Sequence, residues 1–240
     1  MRGNLSYQLL QTLRNGAARL DEEAYRRVCS FVEGQRTDGE AFMNRGEQAD
    51  LYYTMFGWML CYALGVHSDG EGRKAFLKQF DPACLDTLHQ TVLTFCESLD
   101  RLLSLPQYTH SLVLRLMAND RSLLGFFDTY QRHGSGEGTN ALAARLSVAQ
   151  KPDAELQERL LSVQHESGGF LAHERAAIPD MLSTAVALFA MKRLGLSPRY
   201  DAKPFIEAHW HDDGSFTATL LDEHGDVEYE FYGLLALGSL

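Results

Sequence analysis

Apolar positions along this chain recur at helical spacing, in blocks separated by short turns rich in glycine, proline and acidic residues. Leu9, Leu10, Leu13, Ala17 and Leu20, then Tyr25, Val28, Phe31 and Val32, fit two amphipathic helices within residues 5–34, with a break near Gly16 or Asp21. A polar loop from Thr37 to Gln48 feeds an apolar helix from about Ala49 to Leu64, and Asp69-Gly70 marks the next turn. Helical periodicity returns from Lys74 to Leu105, interrupted at Pro82, and again from Leu112 to Tyr130. A glycine-rich turn at Gly134–Gly138 precedes further helices at about Asn140–Ala149 and, behind Pro152-Asp153, Ala154–Gln164. The C-terminal third predicts helices at Met181–Leu194, about Phe205–His209 and Val227 to the end. That is about ten helices and no strand, in one domain spanning residues 1–240.

The most ordered stretch runs from Gly168 to Gly195, GGFLAHERAAIPDMLSTAVALFAMKRLG. Its glycines end the preceding element, Pro179 suits a first helical turn, and Asp180 sits where a helix N-terminus favours negative charge. The helix that follows is apolar nearly all round, as an inner helix buried on both sides would be. The same grammar recurs from His211 to the C-terminus, where Gly-Ser-Phe replaces Gly-Gly-Phe and Asp226 follows Asp180 by 46 residues. A looser copy lies at DGEAFMNRGEQADLYYTMFGWMLCYALG, with Asp50 as the acidic start and Gly65 as the stop, and a weaker one begins near Thr139 and Asn140. Units of this length, each unable to bury its own apolar face, stack on their neighbours.

This pattern resembles the repeats of the protein prenyltransferase β-subunit and squalene cyclase superfamily, best over residues 165–240 and next best over 30–65. The resemblance implies an all-α, α/α toroid of inner and outer helices around an apolar cavity, here in a short chain that suggests an incomplete or open ring. It also implies that functional groups gather at inner-helix N-termini, where free N–H donors and distant repeats meet. Those positions are Asp50, Tyr53, Asp180, Asp226 and Glu228. N-capping is the alternative role for each carboxylate.

The family's own chemistry is altered here. Prenyltransferases hold zinc with an Asp-x-Cys pair and a histidine; the matching residues are Asp180 and Leu182, or Asp226 and Glu228, and Tyr53. Leucine cannot ligate zinc and tyrosine seldom does, so no metal and no cofactor are expected. Squalene-type cyclases protonate with the central Asp of Asp-x-Asp-Asp-Thr-Ala, and the matching run Asp180-Met181-Leu182-Ser183-Thr184-Ala185 places Leu182 at the proton donor. His209, His211, Asp212, Asp213 and His224 form a ligand-rich run without a usual four-ligand spacing.

Bulk properties narrow the partners. A net charge of −10 and no basic cluster argue against nucleic acid. No long apolar run and no apolar leader core predict a cytoplasmic protein, and four cysteines without CxxC spacing predict buried thiols. Tyr52, Tyr53, Phe56 and Trp58 on one inner helix, with Tyr229, Phe231 and Tyr232 on another, would line a cavity for an isoprenoid-like molecule if they faced inward. Two functions follow. One is an isoprenoid or polyene enzyme of the cyclase and prenyltransferase type with a zinc-independent site, using Asp180, Asp226, Glu228 and Asp50 as acid/base groups and Tyr53, Tyr52, Trp58 and Tyr232 to hold the ligand. The other is a non-catalytic toroid that binds a hydrophobic ligand or a protein partner, or pairs as a homodimer. A cavity packed shut by Tyr53, Met181 and Phe231 would favour the second.

Overall fold

The computed structural model describes residues 5–37, 39–110, 112, 138–148 and 153–240. The chain is all-α, with ten α-helices among these residues. They are α1 (Leu5–Ala17), α2 (Glu22–Gly34), α3 (Leu51–Leu64), α4 (Gly70–Leu77), α5 (Thr87–Leu103), α6 (Thr139–Val148), α7 (Ala154–Ser162), α8 (Met181–Leu194), α9 (Lys203–Ala208) and α10 (Val227–Ser239). The helix expected over Leu112–Tyr130 and most of the Gly134–Gly138 turn lie outside the described residues. None of the described helices is long and apolar enough to cross a membrane.

Aspartate starts most of these helices. Asp21, Asp50, Asp69, Asp86, Asp153, Asp180 and Asp226 each accept a backbone N–H from the first turn, at seven of the ten helices. The carboxylate satisfies donors that the helix leaves unpaired and meets the positive end of its dipole. An acidic start is therefore the ordinary device of this chain, and it does not by itself mark a reacting group.

Three units repeat in detail. In the first, β1 (Phe42–Met43) pairs antiparallel with β2 (Ala49–Asp50), in register Phe42 to Asp50; in the second, β3 (Phe170–Leu171) pairs with β4 (Pro179–Asp180), in register Phe170 to Asp180. Single bridges Arg36–Phe42, Gln164–Phe170 and Trp210–Phe216 place the same phenylalanine in all three units. The sequence predicted no strand, because two-residue strands are too short to show alternation. Each phenylalanine N–H is then caught four residues beyond the capping aspartate: by Thr54 Oγ1 at 2.9 Å, by Thr184 Oγ1 at 2.8 Å, and by Glu230 Oε2 at 3.2 Å. Its ring lies against a helix position with little or no side chain. A Cβ on Gly57 would overlap the Phe42 ring and one on Gly233 the Phe216 ring, while the equivalent residue of α8 is the buried Ala187.

Gly168 and Gly214, two residues before their phenylalanines, take φ of 94° and 92°. Side chains are disfavoured there, and a Cβ on either would also strike neighbouring backbone. Glu40 holds the equivalent place in the first unit at φ 63° and is tied down by Arg36, Ser68 and the Trp58 indole.

The helices starting from these units are buried almost all round, as their composition predicts. Packing neighbours run in the order α5, α3, α10, α8, α6, so the last repeat lies against the first. Helix α1 runs through Gly16 without a break and packs on α10 and α3, with Leu9, Leu10 and Leu13 buried. Gly16 and Gly238 make that crossing close: a Cβ on Gly238 would overlap the Thr12 carbonyl. On the other flank, the buried Arg73 joins α4 to α5 through Asp100 at 2.8 Å and Ser104 at 3.0 Å. One contiguous apolar core results.

Candidate functional site

The starts of α3 and α10 meet, and they bring together residues from opposite ends of the chain. Asp50 accepts N–H bonds from Tyr52 at 2.8 Å and Tyr53 at 3.0 Å, and so caps α3. Asp226 accepts from the Tyr229 N–H at 3.0 Å and also from Arg45 Nε at 2.8 Å. The Arg45 side chain is 53% exposed while that of Asp226 is 4% exposed. The guanidinium also lies over the Tyr229 ring, 5.3 Å from its centroid. Beside it, the Tyr52 hydroxyl donates to Glu228 Oε1 at 2.9 Å.

Burial sets the electrostatics of this cluster. The Glu228 carboxyl is pushed up to about 7, first by desolvation and then by the Asp226 charge, against the Tyr52 bond and Arg45. Burial and the Asp226 and Glu228 charges push the Tyr53 phenol up to about 12 and raise Tyr229 as well. Arg45 is held charged by its bond to Asp226. The group can therefore bind and neutralise a cation, and Glu228 can exchange a proton near neutral pH.

Asp180 starts α8 and accepts the Ser183 N–H at 2.7 Å. Burial raises its carboxyl above the usual range, and it lies in the electrostatic field of Tyr229 and His209. His209 is 1% exposed. Its Nδ1 is 2.7 Å from the Phe205 carbonyl, which can only accept, so Nδ1 carries the proton and the buried Nε2 has no hydrogen-bond partner among the described residues. The rest of the histidine-aspartate run disperses. Asp212 takes Arg27, and Asp213 accepts from the Ser215 N–H and hydroxyl. Among the described residues no three His, Cys, Asp or Glu side chains are grouped to hold a metal ion.

One of the aromatic expectations is corrected in detail. Trp58 does not face this cluster: it is fully buried on the opposite side of α3, edge-on to Phe76 of α4, with its indole N–H on the Glu40 carbonyl. Tyr232 is buried in an aromatic stack that runs from Tyr52 through Phe56 to Phe231 and Tyr232, with successive centroids 5.0–5.8 Å apart. Of the thiols, Cys61 and Cys96 are buried, but Cys29 is half-buried and Cys84 is exposed in a single turn of 3-10 helix. All four are free.

The stack leaves little space between these helices among the described residues. Leu182, Val186 and Phe189 of α8 with Phe231, Tyr232 and Leu235 of α10 border an apolar void of about 50 Å³. A larger open groove, about 560 Å³, lies at the C-terminal ends of α8 and α10 near Lys192, Ser197, Asp201 and Leu240, and none of the candidate residues lines it. Arg45 is the member of this cluster that the sequence does not point to. Its partner lies 181 residues away, and no local pattern signals such a pair. Compared with known proteins, the chain matches no family model and no curated protein.

Proposed function

We propose that this chain is an α/α-toroid-type repeat protein that binds a protein partner at the mouth formed by its inner-helix starts, and that it does not process an isoprenoid. One observation carries the reading: the interior void of about 50 Å³ among the described residues. Pockets for small organic ligands run to about 300–1,000 Å³, so an isoprenoid chain would have to displace the aromatic stack. The neighbour order, with the last repeat against the first, supports a ring-like closure. The carboxylates of Asp50, Asp180 and Asp226 support it in another way, since each is already engaged as a helix cap.

A second reading rests on Glu228. A half-buried carboxyl pushed up to about 7 beside tyrosines is suited to general acid/base work, as a zinc-independent isoprenoid or polyene enzyme would need. Product analysis separates the two. Incubation with farnesyl and geranylgeranyl diphosphate and with squalene, between pH 5 and 8, is expected to return each compound unchanged. Conversion that disappears in Glu228→Gln would establish the enzyme instead.

A further inference from the structure

The far ends of α8 and α10 form a second surface, about 20 Å along the helices from their starts. The open groove of about 560 Å³ found there is bounded by four separate stretches: the turn after α1, the end of α8, the loop into α9 and the end of α10. The loop that forms one wall is held from behind. The buried Gln164 accepts at Oε1 from the Arg199 N–H at 2.7 Å and the Tyr200 N–H at 3.1 Å, and donates from Nε2 to the Tyr200 carbonyl at 2.9 Å. The same loop sits directly on Gly168, where a Cβ would overlap the Asp201 carbonyl. The groove is therefore a preformed part of the fold.

Its charge runs against that of the chain. The floor holds the buried Leu188, Met191 and Ala202, and around it stand three cationic side chains, Arg19, Lys192 and Lys203, with Asp201 as the one carboxylate side chain of the lining. The protein as a whole carries a net charge of −10. Asp201 is turned to its own backbone, where Oδ1 accepts the Lys203 N–H at 3.0 Å. Lys203 pairs with Glu207 at 3.5 Å, but both side chains are well exposed and such a pair is easily given up. Lys192 is fixed by donating from Nζ to the Gly238 carbonyl, and burial and then the Arg19 charge lower its pKa. The Arg19 guanidinium makes no hydrogen bond or ion pair among the described residues. Two like charges thus share one groove, and an anion placed there relieves their repulsion.

Shape and composition select the occupant. Small-molecule sites enclose most of their ligand, whereas this groove is open and suits an extended segment laid across it. An apolar floor between cations matches a chain in which apolar residues alternate with carboxylates. A nucleic acid strand would meet the same cations, but also the repulsion of the acidic chain and a floor without hydrogen-bonding side chains.

We propose that this groove docks an acidic peptide segment of a protein partner, whose carboxylates meet Arg19, Lys192 and Lys203 and whose apolar side chain lies on Leu188 and Met191. The site is separate from the mouth at the inner-helix starts, and the proposal does not rest on what binds there.

The test uses the full chain with acetyl-Glu-Leu-Glu-Leu-Glu-amide as probe, read by calorimetry and by NMR of the Lys192 side chain. Saturable binding is expected, with the Lys192 titration moved up in the complex, and acetyl-Gln-Leu-Gln-Leu-Gln-amide is expected not to bind. Arg19→Glu together with Lys203→Glu should weaken binding about tenfold or more. Arg26→Glu, an equal change of charge at an exposed site on α2, should leave it within about twofold. Ser197→Trp, at an exposed position of the wall, fills the groove without altering its charge and serves as the second variant, with thermal melts reporting whether each protein is folded. No binding by the native chain overturns the proposal, as does equal binding of the glutamine peptide or undiminished binding in a folded Ser197→Trp protein. Tighter binding of oligothymidylate than of the acidic peptide overturns it in favour of a nucleic acid.

Discussion

The repeats at α8 and α10 are built on one plan, yet among the described residues only the start of α10, of the two, has carboxylates that bond side chains from another repeat. Both begin with a capping aspartate, seat a phenylalanine ring against the helix, and hold that phenylalanine's N–H from the fourth residue beyond the cap. Asp180 engages its own first turn. Asp226 does the same and also takes Arg45, while Glu228 two residues on takes Tyr52 from the first repeat. The shared features are what stacking a helical unit requires. The features that differ are where recognition or chemistry can reside, so the comparison directs attention to α10 and away from the acidic starts as a class.

The largest effects should fall on the shared plan. Phe170→Ala and Phe216→Ala each remove a buried ring, and each is expected to cost about 3–5 kcal/mol in chemical denaturation. If the units are equivalent, the two costs should agree to within about 1 kcal/mol. A near-neutral result at either position would show that the plan is not shared.

Glu230 comes next, because it stands where the other units use threonine. It is fully buried, its Oε1 has no partner among the described residues, and burial holds its carboxyl well above the usual range. A carboxyl whose folded ionisation lies above its unfolded value binds more protons in the folded state, so stability falls as pH rises above about 4.5. Glu228 acts in the same direction, up to about 7. Glu230→Gln is expected to raise stability at pH 8 by about 1–3 kcal/mol and to flatten the decline between pH 5 and 8. An unchanged pH profile in this variant would contradict a neutral Glu230.

The caps should give smaller and unequal effects. Asp180→Ala is expected to cost about 1 kcal/mol for the lost cap, and Asp226→Ala somewhat more because it also strands Arg45. Arg45→Ala alone should cost under about 1 kcal/mol, since half of that side chain is in water. A double-mutant cycle between Arg45 and Asp226 measures that link directly, and zero coupling would remove the distinction between the two repeats. The smallest effect is on titration rather than stability. Tyr52→Phe deletes the bond that stabilises ionised Glu228 and should move its midpoint further up, as read by NMR of the carboxyl carbon.

Much of the plan was legible in the sequence because it is local. Helix α8 occupies the predicted Met181–Leu194, α10 begins at the predicted Val227, and Asp153 caps α7 as expected. The all-round apolar character of these segments and their glycine stops depend only on near neighbours. The hairpins were invisible because two residues carry no alternation. Trp58 stands close to the tyrosines in sequence, which places it on the cavity wall, but a spacing of five or six positions turns it well away from Tyr52 and Tyr53 on a helix, and its indole N–H meets the Glu40 carbonyl instead. The Arg45–Asp226 pair was out of reach because nothing in either segment encodes the other. The carboxylates at Asp50, Asp180 and Asp226 were placed correctly at helix starts, and the frequency of aspartate caps throughout the fold is what assigns them a structural role.

The account turns on how little space the described residues leave between the inner helices, and native mass spectrometry of the purified chain with farnesyl and geranylgeranyl diphosphate tests it most directly. It predicts no retained isoprenoid at concentrations where a cavity binder would be saturated. One molecule retained per chain, and lost when Leu182→Trp fills the void, would contradict it.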